Sequence, residues 1–307
     1  LTAIGRKAFS SPEAAVLKAN PWLAAGAEDF ARQFALPNNL PPTPIAVARR
    51  EASLQRLRAG SAAWNEWAAA MLESARRLAD APLRRMWSYL AATDLAGFSS
   101  DPPLRDLAGL LFPGRLDLSA AIFSKTAWFS GSAFHGEVSF QNAEFVQGAY
   151  FERAVFGGPA CFDGASFGKA AEFRQSRFHG PASFRAVQFD KDAWLRGAEF
   201  KDALDMSRAS FGGEAGLGDV RYGGGADFSH VKFADNAGFE QAVFDGVARF
   251  DDARFARNAR FEEAQFGQEP SFDRTRFSGC AIFDGISVPE GGSPARQALA
   301  DLVRRLG

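Results

Sequence analysis

At 307 residues, with 47% hydrophobic content and a formal net charge of −1, the chain is long enough for two domains, or for one repeat body with an appendage. No uninterrupted apolar run of about 18 residues occurs, which argues against a membrane span. Two cysteines, Cys161 and Cys280, exclude a disulfide scaffold or a Cys-rich metal centre and make a reducing cytoplasm the expected compartment.

The N-terminal stretch "LTAIGRKAFSSPEAAV" has basic residues but no apolar core, so it reads as a poor signal peptide. Without an initiator Met, a trimmed chain or a piece of a longer protein is expected. Ser11 followed by Pro12 marks a helix start, and "PNNLPPTP" at 37–44 reads as a hinge. Beyond it, 45–59, 61–79 and 81–95 are expected as helices, so that residues 1–106 form an α-helical N-terminal domain. Trp64, Trp67, Met71, Ala75 and Leu78 make a stripe at helical spacing. That stripe suits a small core better than a partner groove. The pairs Arg49–Arg50, Arg76–Arg77 and Arg84–Arg85 have acids nearby and suit a solvated helix surface better than a nucleic-acid or lipid contact.

From residue 107 the pattern changes. The chain holds 31 Phe against three Tyr and three Met, which means one side chain is reused for one geometric job. Two interleaved ladders each step by 11, one from Phe112 through Phe156 and Tyr222 to Phe277, the other from Leu118 through Phe162 and Met206 to Phe283. Of their 32 positions, 27 are Phe and no insertion breaks the register. Ala commonly sits two residues earlier, as at Ala143, Ala154 and Ala160, and a spacing of two places Ala and Phe on one face of an extended segment. A coiled coil with an 11-residue period is excluded by the Gly content and by the poor helix propensity of Phe.

These A-x-F-x-x units, alternately five and six residues long, resemble the pentapeptide repeat family over about residues 107–284. The resemblance implies a right-handed, four-sided β-helix with Phe stacked along its axis. The sequence agrees with a 22-residue coil: "GPACF" at 158–162 returns as "GPASF" at 180–184. The expected fold is therefore a mainly β solenoid, a right-handed quadrilateral β-helix of about eight coils. An α-helical domain precedes it and a C-terminal helix, within 285–307, closes it or pairs with a second copy to give a homodimer. Both ends should carry caps.

No P-loop, G-x-S-x-G or H-E-x-x-H signature occurs. His135 and His179 share a column two coils apart, about 10 Å, too far for one metal ion, and Cys161 lies about five coils from Cys280. No catalytic residue, metal or cofactor is therefore assigned, and the protein is not expected to be an enzyme. The outward positions remain. Trp128, Tyr150, Glu172 and Trp194 fall one residue before a ladder position and one coil apart, and the column continues as Gly216 and Gly238, where bare backbone offers a floor. The alternative is that these aromatics pack under the N-terminal helices. A second column is acidic, namely Glu240, Asp251, Glu262, Asp273 and Asp284, with Arg249, Arg260, Arg274 and Arg276 near enough to offset it.

Two functions from different classes follow. One is a protein-interaction scaffold, binding an unknown protein partner through the aromatic column or the ends. The other is a DNA-mimicking gyrase inhibitor or protection protein, as some relatives in the family are. Residues 112–284 carry 19 basic and 24 acidic side chains, a balance of only −5. Such modest charge is far from the phosphate density of DNA, and it favours the scaffold. Direct nucleic-acid binding is not expected.

Overall fold

A computed structural model describes residues 19–20, 43–77, 87–95 and 107–289. In the repeat region the chain makes two-residue strands separated by turns, and each strand pairs in parallel with the one 22 residues on, as Val155–Phe156 does with Arg177–Phe178. Four parallel eight-stranded sheets result, one per side of the solenoid. We number the faces in the order in which the repeats, from Leu111 on, reach them. Face one runs from Leu111–Phe112 to Gln265–Phe266, and face two from Thr93–Asp94 and Leu116–Asp117 to Ala248–Arg249. Face three runs from Ile122–Phe123 to Arg276–Phe277, and face four from Ala127–Trp128 to Ala281–Ile282.

The ladders fill the axis. Rings one coil apart stack nearly parallel, as Phe134 and Phe156 do at 4.8 Å and 13°. Rings of the same ladder facing one another across the axis meet edge to face, as Phe140 and Phe151 do at 5.4 Å and 82°. Both geometries suit the aromatic quadrupole. The residue two before a ladder Phe, most often Ala, is buried beside it, and the residue between them points outward, as in Ala127–Trp128–Phe129. The six-residue steps leave faces two and four, where their extra residue takes a left-handed conformation. Twelve non-glycine residues, among them Asn142, Arg153 and Gln175, occupy this slot or its equivalents at φ of 53–63°. Inter-coil bonds such as Asn142 N–H to Asp163 O at 2.8 Å hold it, offsetting an intrinsic cost of about 1–2 kcal/mol per residue.

The first coil is capped by the preceding segment. Helix α1 spans Thr43–Arg58 and helix α2 spans Ser61–Arg77. In α2, Trp64 and Met71 are fully buried, and the Trp64 ring lies 5.4 Å from Phe112, the first axial ring. The indole N–H of Trp64 donates to Leu111 O at 2.7 Å, while Asn65 accepts from Leu111 N–H and donates to Gly109 O, each at 2.9 Å. The helix thus occupies backbone groups of the edge that would otherwise stand open. The Trp64–Trp67–Met71 stripe is a core face, as expected; Leu78 lies outside the described residues. Arg49, expected on a solvated helix surface, is instead buried, donating to Tyr89 O at 2.9 Å with its guanidinium 4.1 Å over the Tyr89 ring. The Arg56 guanidinium lies 4.6 Å over Trp67, and burial lowers its pKa to about 10.

Two further expectations are corrected. The helix expected over 81–95 is helical at 87–91 but ends there, and Thr93–Asp94 forms a strand that pairs with Leu116–Asp117 on face two. At the other end, residues 285–289 continue the solenoid, with Ser287 bridging to Gln265 and Ile286 and Val288 packed on the core. The rest of the C-terminal helix expected within 285–307 lies outside the described residues, as do Ser11, Pro12 and the first part of the 37–44 hinge.

Candidate partner-binding surface

Face four carries the predicted column. Alternation along each two-residue strand turns Ala127, Ala149, Ala171 and Ala193 inward and Trp128, Tyr150, Glu172 and Trp194 outward. Trp128 is 42% exposed and stacks on Tyr150 at 4.2 Å and 14°. Glu172 stands in register between Tyr150 and Trp194. Burial pushes its carboxyl above the usual range, and Arg174, at 3.4 Å, acts in the opposite direction. The same Arg174 lies 5.2 Å from the centre of the Trp194 ring. Sequence reasoning passed over Arg174, although its place two residues after Glu172 puts it within reach.

Gly216 and Gly238 form less of an open floor than expected. A Cβ on Gly216 would come within 2.4 Å of Cε3 of Trp194, and one on Gly238 within 2.5 Å of Oε2 of Glu240. The chain's own indole and carboxylate therefore lie over the two glycines. Glu240 is held in turn by Arg260 at 2.7 Å. What remains is a shallow groove of about 350 Å³ between Trp194 and the Glu240–Arg260 pair, with Arg196 at its side. The column is thus continuous from Trp128 to Arg260 and unites the six residues predicted for it with Glu240 and Arg260 of the acidic group and with Arg174 and Arg196, which sequence reasoning did not place. Among the described residues, α2 packs on Leu111–Phe112, while Trp128 stays exposed.

The acidic residues separate into different roles. Glu240 is neutralised by Arg260. Asp251 is a structural hook: its carboxylate accepts from the Ser271 hydroxyl and, at 2.9 Å, from the Asp273 N–H one coil on. Asp163 does the same with Ser183 and the Arg185 N–H, at 3.0 Å for the latter. Arg274 binds Asp252, at 2.7 and 2.9 Å, and not a member of the predicted column. The Glu262 side chain is partly buried, while Asp273 and Asp284 are exposed. The acids after the late Phe residues therefore do not form a bare stack: Glu240 meets an arginine, and Asp251 is held by inter-coil hydrogen bonds. Cys161 and Cys280 are free thiols, and burial raises the pKa of Cys161.

The family model for pentapeptide repeats matches residues 118–160, 162–210, 189–232, 206–254 and 228–274, just over half of the chain. The chain belongs to the pentapeptide repeat family. Among solved structures, this repeat protein aligns with trypsin-treated QnrB1, a plasmid-mediated fluoroquinolone resistance protein, at 14% identity, over 70% of this chain and 96% of that one, with a TM-score of 0.20. No curated protein matches the chain. Among the described residues, no helix of this pentapeptide repeat protein is long and apolar enough to cross a membrane.

Proposed function

We propose that the protein is a non-enzymatic interaction scaffold, a stiff pentapeptide-repeat rod that binds a protein partner across face four. One observation carries this reading: Trp128 and Tyr150 form an exposed aromatic stack that leads into the Trp194–Arg260 groove. Exposed aromatics on a rigid surface supply contact area at little entropic cost. The test is affinity capture with the wild-type chain and with a Trp128→Ala/Tyr150→Ala variant as baits, followed by reconstitution with the purified partner. A partner that binds both baits equally would exclude this face.

The second reading is a DNA mimic acting on gyrase. It draws on the family and on the −5 balance of the repeats. Against it, carboxylates along the rod are met by arginines, as in Arg196–Asp219 and Arg260–Glu240, both at 2.7 Å, whereas a duplex offers unpaired charge at high density. A gyrase supercoiling assay, with and without a fluoroquinolone, separates the readings: inhibition or protection that is lost in Glu240→Lys/Glu262→Lys/Asp284→Lys would establish the mimic.

A further inference from the structure

Face three changes character along the rod. Its outward column opens on Ile122 and Glu144, passes through neutral Ser and Gln, and ends in Lys232, Arg254 and Arg276. Lys232 is in register with Arg254, and Arg254 with Arg276. Three cations therefore stand on successive strands about 4.8 Å apart, and all three are exposed. Among the described residues none of the three makes an ion pair or a side-chain hydrogen bond. Neighbouring arginines do, as Arg221 with Asp245 at 2.9 Å and Arg274 with Asp252 at 2.7 Å. Like charges directly opposite one another on adjacent strands repel. This stripe lowers its energy when an anion lies along it.

We propose that Lys232, Arg254 and Arg276 form a docking stripe for a short acidic segment of a partner protein, with carboxylates laid along the rod axis. The stripe is about 10 Å long, the span of three extended residues. Two of its three members carry the planar guanidinium fork that matches a carboxylate. The surroundings select a short ligand over a long polyanion. Exposed Asp235 and Asp273 sit in the turns beside the stripe, and the repeats as a whole carry 24 acidic against 19 basic side chains. A nucleic-acid duplex, with a charge about every 1.7 Å along its axis, would overlie those carboxylates, whereas a peptide confined to three strands does not. A face-four variant that lost its partner would leave this stripe intact.

The test is fluorescence anisotropy of a fluorescein-labelled hexaglutamate peptide with the full chain, at low and at physiological ionic strength. Binding should tighten at low salt and fall about tenfold or more in Lys232→Ser/Arg254→Ser/Arg276→Ser. A control lacking Arg153, Arg177 and Arg185 should bind as the wild type does. The triple stripe variant should also melt no lower than the wild type, because the mutual repulsion it removes on three adjacent strands outweighs the Coulombic attraction of Arg254 to Asp252. Absence of peptide binding, equal loss in the control, or a lower melting temperature in the stripe variant would overturn the proposal. So would a single-stranded oligonucleotide or a phosphatidylserine vesicle that bound through the stripe more tightly than the peptide.

Discussion

Trp194 lies flat over Gly216, so close that a Cβ at Gly216 would stand 2.4 Å from the indole Cε3. The glycine is needed by the ring and not by its own backbone, since its φ is not in the left-handed region. Gly216→Ala should therefore leave the fold standing, displace the indole from face four and expose it. Acrylamide quenching should rise in Gly216→Ala relative to wild type, and that increment should vanish in a Trp194→Phe background. Unchanged quenching would mean that the indole has room to move aside without leaving the face.

The axial rings should tolerate truncation unequally. Phe156 is fully buried and stacks on Phe134 and on Phe178, at 4.8 and 4.3 Å. Phe156→Ala should cost about 3–5 kcal/mol. Phe283, at the last described coil, retains 6% exposure and, among the described residues, has a stacked neighbour on one side only, Phe261. Phe283→Ala should lower the denaturation midpoint less, and equal shifts would contradict the end effect expected of a solenoid.

Tyr222 replaces Phe in the axis, and its hydroxyl is buried without a hydrogen-bond partner among the described residues. Its ring stands 5.7 Å from Phe200, wider than the 4.5 Å to Phe244 on the other side. Burial raises the phenol pKa far beyond its ordinary value, so the group stays neutral at any pH the fold experiences. An unsatisfied buried hydroxyl costs about 1–3 kcal/mol, so Tyr222→Phe should raise the melting temperature. A loss of stability would show that the hydroxyl has a role in packing.

Asn65 should behave as a cap. Asn65→Ala removes two hydrogen bonds to the rod edge, at Gly109 O and Leu111 N–H. A loss of about 1–2 kcal/mol is expected, together with concentration-dependent end-to-end association, because an open β edge templates pairing. Sedimentation velocity would reveal the association, and a strictly monomeric, equally stable variant would assign the capping to Trp64 alone.

Glu172 links stability to pH. Its pKa is raised, chiefly by burial, with Arg174 opposing. A carboxyl that titrates higher in the folded than in the unfolded state costs nothing below the ordinary value of 4.5 and its full penalty above the folded value. Glu172→Gln should therefore flatten the fall in melting temperature across that interval. A variant whose pH profile runs parallel to the wild type would show that Glu172 titrates normally.

The solenoid was legible because one residue type repeats without interruption at a fixed period: a large ring every 11 positions in each ladder has to fill an axis. Outward columns followed from the alternation of extended residues, which is why Trp128, Tyr150 and Trp194 could be placed on one face by arithmetic. Other features have no one-dimensional signature. The left-handed slot holds Asn, Arg, Gln, Asp and His alike, since inter-coil hydrogen bonds and not local preference impose it. Thr93–Asp94 is a strand only because Leu116–Asp117 lies beside it. The acids after the late Phe residues look equivalent in sequence, yet Glu240 meets Arg260 and Asp251 meets Ser271, because distance along the rod decides which charges are neutralised. Period and alternation, being properties of neighbours in the chain, determined the architecture and its faces. Which side chains on those faces are covered, paired or left open was decided by contacts between coils, where residues 20 or more positions apart come within hydrogen-bonding distance.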